Sequence, residues 1–253
     1  MHYRVAVVLL ALILSPTADA ETRESWLSIL DLWGNILERY VDEQGRTDFI
    51  ALARDRSQLE TAVSFISTVS PETHPKVFST KNQKLAYHIN AYNILAMNGV
   101  VATGLPSDFD SIWKRAKFFK FRDVIIGGNE TNLYDYENKI IRPLGEPRIH
   151  FVLNCMVRAC PRLPRTPLMA ASLDEDLDSL TRGFFADPKH LQIDTDKKLI
   201  QVSEILDFYT EDFVASGKAR DLPTYINRYL DTPLPQGYKV RFIDYDWTVN
   251  QQP

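Results

Sequence analysis

The chain has 253 residues, 45% of them hydrophobic, and carries 29 Lys and Arg against 33 Asp and Glu for a net charge of −4. That length is ample for a buried core. The acidity is mild, no block of like charges stands out and the basic residues are scattered, so composition gives no argument for nucleic acid or an anionic membrane as partner.

Residues 2–20 read as a secretory signal: Arg4 supplies a basic start, Val5 to Leu14 an unbroken apolar run, and Ala18-Asp19-Ala20 a small-x-small site with cleavage expected after Ala20. The apolar run is too short to span a hydrocarbon core, and no later stretch approaches the roughly 20 residues required. The expectation is an exported protein, periplasmic or secreted, with no stable membrane insertion after signal cleavage. With no internal repeat, low-complexity tract or long linker, residues 21–253 are expected to form a single globular domain.

Trp26, Ile29, Leu30, Trp33, Ile36, Leu37 and Tyr40 recur at spacings of three and four and predict an amphipathic helix over about 24–41. A second helix is expected over 57–68 with Ser57 as its cap, and a third over about 81–102, ending near Gly104 and Pro106. On the third, Leu85, Ile89, Tyr92, Ala96 and Val100 form an apolar stripe, and Asn90 and Asn93 share a face beside it. Two amides next to a core need partners, because burying one unpaired costs about 1 to 3 kcal/mol.

Arg122 to Ile126 reads as a strand, Gly127-Gly128-Asn129 as its turn, and Asn132 as the cap of a short helix over 133–142. The glycine pair matches neither a P-loop nor a dinucleotide fingerprint. Residues 148–154 follow as a strand by their alternation, then a loop over 155–171 in which Pro161, Pro164 and Pro167 oppose regular structure. Ser172 is read as the cap of a helix over 173–185. A hairpin around Asp196-Lys197, helices to about 213 and over 222–230, and a last strand over 238–244 complete a helix-rich α+β fold with a few short, mainly antiparallel strands.

The stretch from Arg148 to Cys160 holds both cysteines and one of five histidines. If 148–154 is extended, His150 and Asn154 share a face, and Cys155 turns outward only where a turn begins at Asn154. A nucleophilic thiol needs a cationic neighbour or a base within reach. His150 is the candidate base, Arg148 or Arg158 the cation, and Asn154 an orienting or oxyanion-binding group. In an extended chain His150 and Cys155 are about 16 Å apart, so contact requires a chain reversal. In an oxidising compartment Cys155 and Cys160 are instead candidates for a disulfide that shapes the loop. Glu137 and Arg142 read as a surface pair or cap, whereas a Glu137 buried near His150 would be a candidate base or ligand orienter. His74 and His190 read as solvated. In the tail, Trp247 is expected to be buried, its truncation costing about 3 to 5 kcal/mol, with Asp246 capping backbone or bonding His150. Cys155, Cys160 and His150 give three possible zinc ligands, but the spacing of the two cysteines lies at the edge of the usual range and no second histidine is near, so no metal set is assigned.

Taken in order, Tyr87-His88-Ile89-Asn90-Ala91-Tyr92-Asn93, the run Arg148 to Cys155 with Cys160-Pro161, and Tyr245-Asp246-Trp247 with Asn250 resemble the family called domain of unknown function 547, over roughly 40–250. The resemblance carries no established activity. It implies that Asn90, Asn93, Glu137, His150, Asn154, Cys155, Cys160, Asp246 and Asn250 occupy motif positions, several of them in one cleft. Three positions depart from the pattern: His88 where relatives tend to have Trp, Asn138 where many have His, and Ala159 where Ser is common. The expected function is a thiol-dependent hydrolase or acyltransferase using Cys155, His150, Asn154, Asp246 and Glu137, with Asn90, Asn93, Asn250 and Arg148 binding a small molecule or peptide and no cofactor. The alternative is a non-catalytic binding module with Cys155 and Cys160 bridged.

Overall fold

The structure, a computed structural model, describes residues 16–253; of the expected signal segment, residues 2–20, all but residues 16–20 lie outside the described residues. Helix α1 (Pro16–Tyr40) starts well before the apolar repeat that predicts it. It is followed by α2 (Phe49–Arg54), α3 (Ser57–Thr68) and α4 (Lys81–Ala102). Ser57 is the first residue of α3 and makes no capping bond from the preceding position; Arg56 stands there. Helix α4 is opened by a reciprocal capping box, in which the Thr80 hydroxyl accepts from the Gln83 N–H and the Gln83 side chain accepts from the Thr80 N–H. Its residues 85–97 are buried on every side, so α4 is the axle of the main core rather than a half-exposed amphipathic element. No described helix is long and apolar enough to cross a membrane.

Helix α5 (Ile112–Phe119) lies across α4. Gly99 permits the approach: a Cβ there would meet the Phe118 ring at 2.9 Å. Strands β1 (Asp123–Ile126) and β2 (Asn129–Asn132) form an antiparallel hairpin around the glycine turn. The Asn132 side chain then caps α6 (Leu133–Asp135). The expected single helix over 133–142 is replaced by α6, a π-helical turn (Tyr136–Ile141) and a 3-10 turn (Arg142–Leu144). The wider turn lets the adjacent Tyr136 and Glu137 both be buried, against the α4 side chains of His88 and Tyr92. π-Helical turns of this kind concentrate at functional sites.

Residues 148–154 are not a strand. Pro147–Phe151 is a 3-10 helix whose first turn is capped by Glu146, and Ile149, His150, Phe151 and Val152 are all buried. Proline at the first helical position and a carboxylate before it favour a helical start, and residues apolar on both faces have no solvent side to alternate with. After α7 (Leu173–Ala186) come β3 (Leu191–Asp194) and β4 (Leu199–Ser203). Ser172 stands before α7, but its hydroxyl donates to the Asp176 carboxylate rather than capping backbone. Short helices α8 (Ile205–Phe208) and α9 (Thr210–Phe213) are broken at Tyr209, and α10 (Leu222–Ile226) precedes β5 (Lys239–Ile243). Strand β4 is central, antiparallel to β3 and parallel to β5.

The apolar side chains gather in two clusters. One surrounds α4 and the other packs α7 against the three-stranded sheet and α8 to α10, with Phe151 inserted into it. His190, expected to be solvated, is buried there and stacks on Phe184 at 3.9 Å. Burial, helped by the Lys189 charge, pushes its pKa down to about 3. An imidazole with a depressed folded pKa contributes stability above its unfolded value of about 6.5 and loses it as the pH falls towards the folded one. Unfolding free energy should therefore decline between about pH 6.5 and 4.5, above the range where ordinary carboxylates titrate, and the slope should flatten in His190→Phe. Urea melts at stepped pH read this directly; an unchanged slope in the variant removes His190 as the cause.

The tail runs between two loops. Trp247, Thr248 and Asp246 carbonyls accept from Phe109, Arg158 and Ala159 N–H groups, and Asn250 N–H donates to Met156. Trp247 is half-buried, with Arg115 over its ring at 4.5 Å and Tyr245 at 4.7 Å. The full core-truncation cost expected from the sequence is accordingly too large. Trp247→Ala should cost about 2 kcal/mol, below the range for a fully buried tryptophan, and a thermal melt indistinguishable from that of the parent would show that the tail is held by its backbone bonds alone.

Candidate functional site

A cavity of about 300 Å³ opens where the two clusters meet. The central helix contributes Tyr92 to its wall, α5 contributes Arg115 and Phe119, the π-helical turn Glu137, and the 3-10 helix His150. The following loop contributes Leu153 and Cys155, the α8–α9 break Tyr209, and the tail Tyr245 and Trp247.

Cys155 reaches this wall because the chain turns at Asn154. The Asn154 side-chain carbonyl accepts from the Met156 N–H at 2.7 Å, and Met156 takes a left-handed backbone conformation, with φ of 66°. That conformation is costly for a bulky residue and is held by its surroundings. Asn154 is fully occupied in this role: its N–H donates to Asn93 at 2.8 Å and its amide to the Pro161 carbonyl at 2.7 Å. Asn93 also donates to the Val152 carbonyl. Asn90 exchanges two bonds with Leu168 and donates to Ala86. The three amides thus tie the 152–168 segment to α4, and none lines the cavity.

His150 is positioned by a carboxylate that sequence reasoning missed. Its Nε2 lies 2.7 Å from Asp212 Oδ2, and its ring stacks on Tyr209 at 3.9 Å. Arg142 grips the same Asp212 carboxylate through two bonds, at 2.7 and 2.9 Å, and also donates to Asn138 and Glu211. Burial would raise the Asp212 pKa, but the hydrogen bonds from His150 and Arg142 outweigh it and hold the carboxyl well below the usual range. Nothing in the residue pattern around Thr210-Glu211-Asp212 marks this acid. Arg142, read as a partner of Glu137, instead leaves Glu137 to accept from the Tyr92 hydroxyl at 3.2 Å. Burial first, and the Glu137 charge second, push the hydroxyls of Tyr92 and Tyr209 well above their ordinary value.

The two sulfurs stand 2.6 Å apart and unbonded. The Tyr245 hydroxyl is 3.4 Å from each, and the Cys155 N–H donates to Cys160 Sγ at 3.1 Å. Burial pushes the Cys155 thiol well up. Cys160 is equally desolvated, but hydrogen bonds from Cys155, Tyr245 and backbone N–H groups bring its thiol below the ordinary value, so any shared negative charge resides on Cys160. The cysteines form part of the partition between two hollows: Cys155 lines the cavity, and Cys160 a second depression with Arg158, Lys189, Asp246 and Asn250. Asp246 therefore does not meet His150; it accepts from the Thr248 N–H, and the Asn250 amide donates to the Gly45 carbonyl. Arg148 is also elsewhere, paired with Glu146, Asp174 and Asp178. Among the described residues no group of three or more His, Cys, Asp and Glu is arranged to hold a metal ion.

Residues 76–185 match the family model described as Protein of unknown function, DUF547. The chain carries a DUF547 domain. The match runs from α4 through α7, and so takes in Glu137, His150, Cys155 and Cys160. Asp212, Tyr209 and Tyr245 lie outside it, on the elements that close the cavity. No curated protein and no solved structure matches the chain. None of the three departures from the DUF547 pattern is on the cavity wall. His88 is buried between Glu72 and Tyr136, Asn138 joins Tyr134 to Arg142, and Ala159 bonds the tail.

Proposed function

We propose that this protein is exported and is a thiol-dependent hydrolase or acyltransferase, with Cys155 as nucleophile and His150 as base. The observation that carries the reading is the Asp212–His150 pair on the wall of the cavity that also holds Cys155. A nucleophile, a base and a group orienting that base are the recurring parts of covalent acyl transfer. Asp212 occupies His150 Nε2, which leaves Nδ1 to take a proton. Burial keeps the Cys155 thiol protonated at rest, so its proton passes to His150 as the sulfur bonds to the acyl carbon. The carbonyl electrons move to oxygen and return as the leaving group departs with the proton from His150. Water or an acceptor then repeats the sequence to release Cys155. The largely apolar lining around Phe119, Leu153 and Trp247 suits a small acyl group.

The short distance between the sulfurs favours a second reading, a binding module in which Cys155 and Cys160 are bridged. A panel of short-chain acyl esters and thioesters, assayed with the reduced protein, tests the first. Turnover should vanish in Cys155→Ser and His150→Ala while both variants remain folded by circular dichroism. A quantitative disulfide that resists mild reduction, seen by alkylation and mass analysis, sinks the nucleophile and leaves the binding module.

A further inference from the structure

Among the described residues, the three most exposed large apolar side chains are Ile112, Trp113 and Phe121, at 78%, 75% and 64%. They stand on or just after one helix, α5, and Trp113 and Phe121 rings meet edge to face at 5.9 Å. Grouped large apolar side chains in water mark an interaction surface, whereas scattered single ones do not. The same stretch, residues 111–122, contains Lys114, Arg115, Lys117, Lys120 and Arg122 and no acid. Averaging charge over the whole chain hides this concentration.

The neighbours of these cations define what the surface can accept. Lys114 is neutralised by Asp108 and Asp110, and Arg115 is spent on the Phe109 and Asp110 carbonyls and the Trp247 ring. Arg122 donates to the Gly99 carbonyl. Lys117 and Lys120 are exposed and have no carboxylate partner among the described residues; Lys120 lies over the Tyr134 ring at 4.1 Å. A protein partner would bring its own shape. Exposed Trp, Phe and Ile flanked by unpaired lysines instead match the layering of a bilayer surface, where aromatic rings settle at the headgroup boundary and ammonium groups meet phosphate.

We propose that α5 and Phe121 form a docking surface for anionic phospholipid bilayers. Trp113, Ile112 and Phe121 enter the headgroup–acyl boundary, and Lys117 and Lys120 engage lipid phosphates. Ile112 and Lys120 also line the cavity, whereas Trp113, Lys117 and Phe121 do not, so the last three separate the surface from the chemistry assigned to the cavity.

Tryptophan fluorescence with vesicles carrying brominated acyl chains tests the surface locally, so that contact elsewhere on the chain does not mask it. Vesicles of phosphatidylcholine mixed with phosphatidylglycerol should quench the parent protein strongly, and those of phosphatidylcholine alone weakly. Trp113→Phe should lose most of the quenching. Lys117→Ala should weaken binding about fivefold, the effect of one near-surface lysine, and added salt should weaken it further. Neither residue lines the cavity, so the thermal melts should coincide. Quenching that survives in Trp113→Phe, equal binding to neutral vesicles, tighter binding to a single-stranded oligonucleotide, or Trp113-dependent self-association in sedimentation would each overturn the proposal.

Discussion

Phe151→Ala is expected to lower the unfolding free energy by about 3 to 5 kcal/mol, the range for truncating a fully buried aromatic residue. The side chain is buried in the second cluster, with Phe184, Phe185 and Phe213 ring centroids at 4.7, 5.1 and 5.4 Å. Its backbone neighbour His150 lines the cavity, so Phe151 also fixes the 3-10 helix on which His150 is carried. The walls are aromatic rings that cannot flex inward to fill the space, which places the cost in that range rather than below it. Urea unfolding measures the effect as a shift in midpoint at constant slope. A loss smaller than about 1 kcal/mol, typical of a surface change, would mean that the second cluster repacks freely and does not hold His150 in place.

Asp212→Asn should reduce Cys155-dependent turnover by about 10² to 10⁴-fold, the usual worth of positioned acid–base catalysis. The amide can still reach His150 but brings no charge to stabilise the imidazolium that forms when the thiol proton arrives. It also leaves the Arg142 guanidinium facing a neutral group. The depressed carboxyl pKa sets the pH window: a group lowered on folding contributes stability above its unfolded value near 3.8 and loses it as the pH falls through the lower folded one. The Arg142–Asp212–His150 cluster is thus intact across neutral pH, and Asp212→Asn should steepen no transition there. Turnover that keeps its parent rate in Asp212→Asn would dismiss the pair as a structural contact.

The sequence was a good guide where one signal dominated. Apolar spacing located α1, α3 and α4, glycine and asparagine chemistry located the β1–β2 turn and the cap of α6, and the alternation around Asp196-Lys197 located the β3–β4 hairpin. It misled where burial on all sides erased the difference between periods. Residues 148–154 alternate as well as any strand, yet Pro147 and Glu146 start a 3-10 helix, and Asn154 makes the reversal that brings Cys155 to the cavity wall. Of the expected site residues, Glu137, His150 and Cys155 line one cavity. Asn90, Asn93 and Asn154 are buried because they tie loop to helix, a need that polar residues in a core express in the same letters as a binding role. Asp212 could not be found, because its partners His150 and Arg142 are brought to it only by tertiary packing.

The threaded tail has a consequence for how the molecule is made. Tyr245 and Trp247 line the cavity, and residues 246–252 bond to loops around positions 47, 109 and 157. The Cys155 thiol therefore has no finished pocket until residues 245–252 have been synthesised. Completion of the cavity wall waits for residues 245–252, so a chain cut before them carries Cys155 without that enclosure.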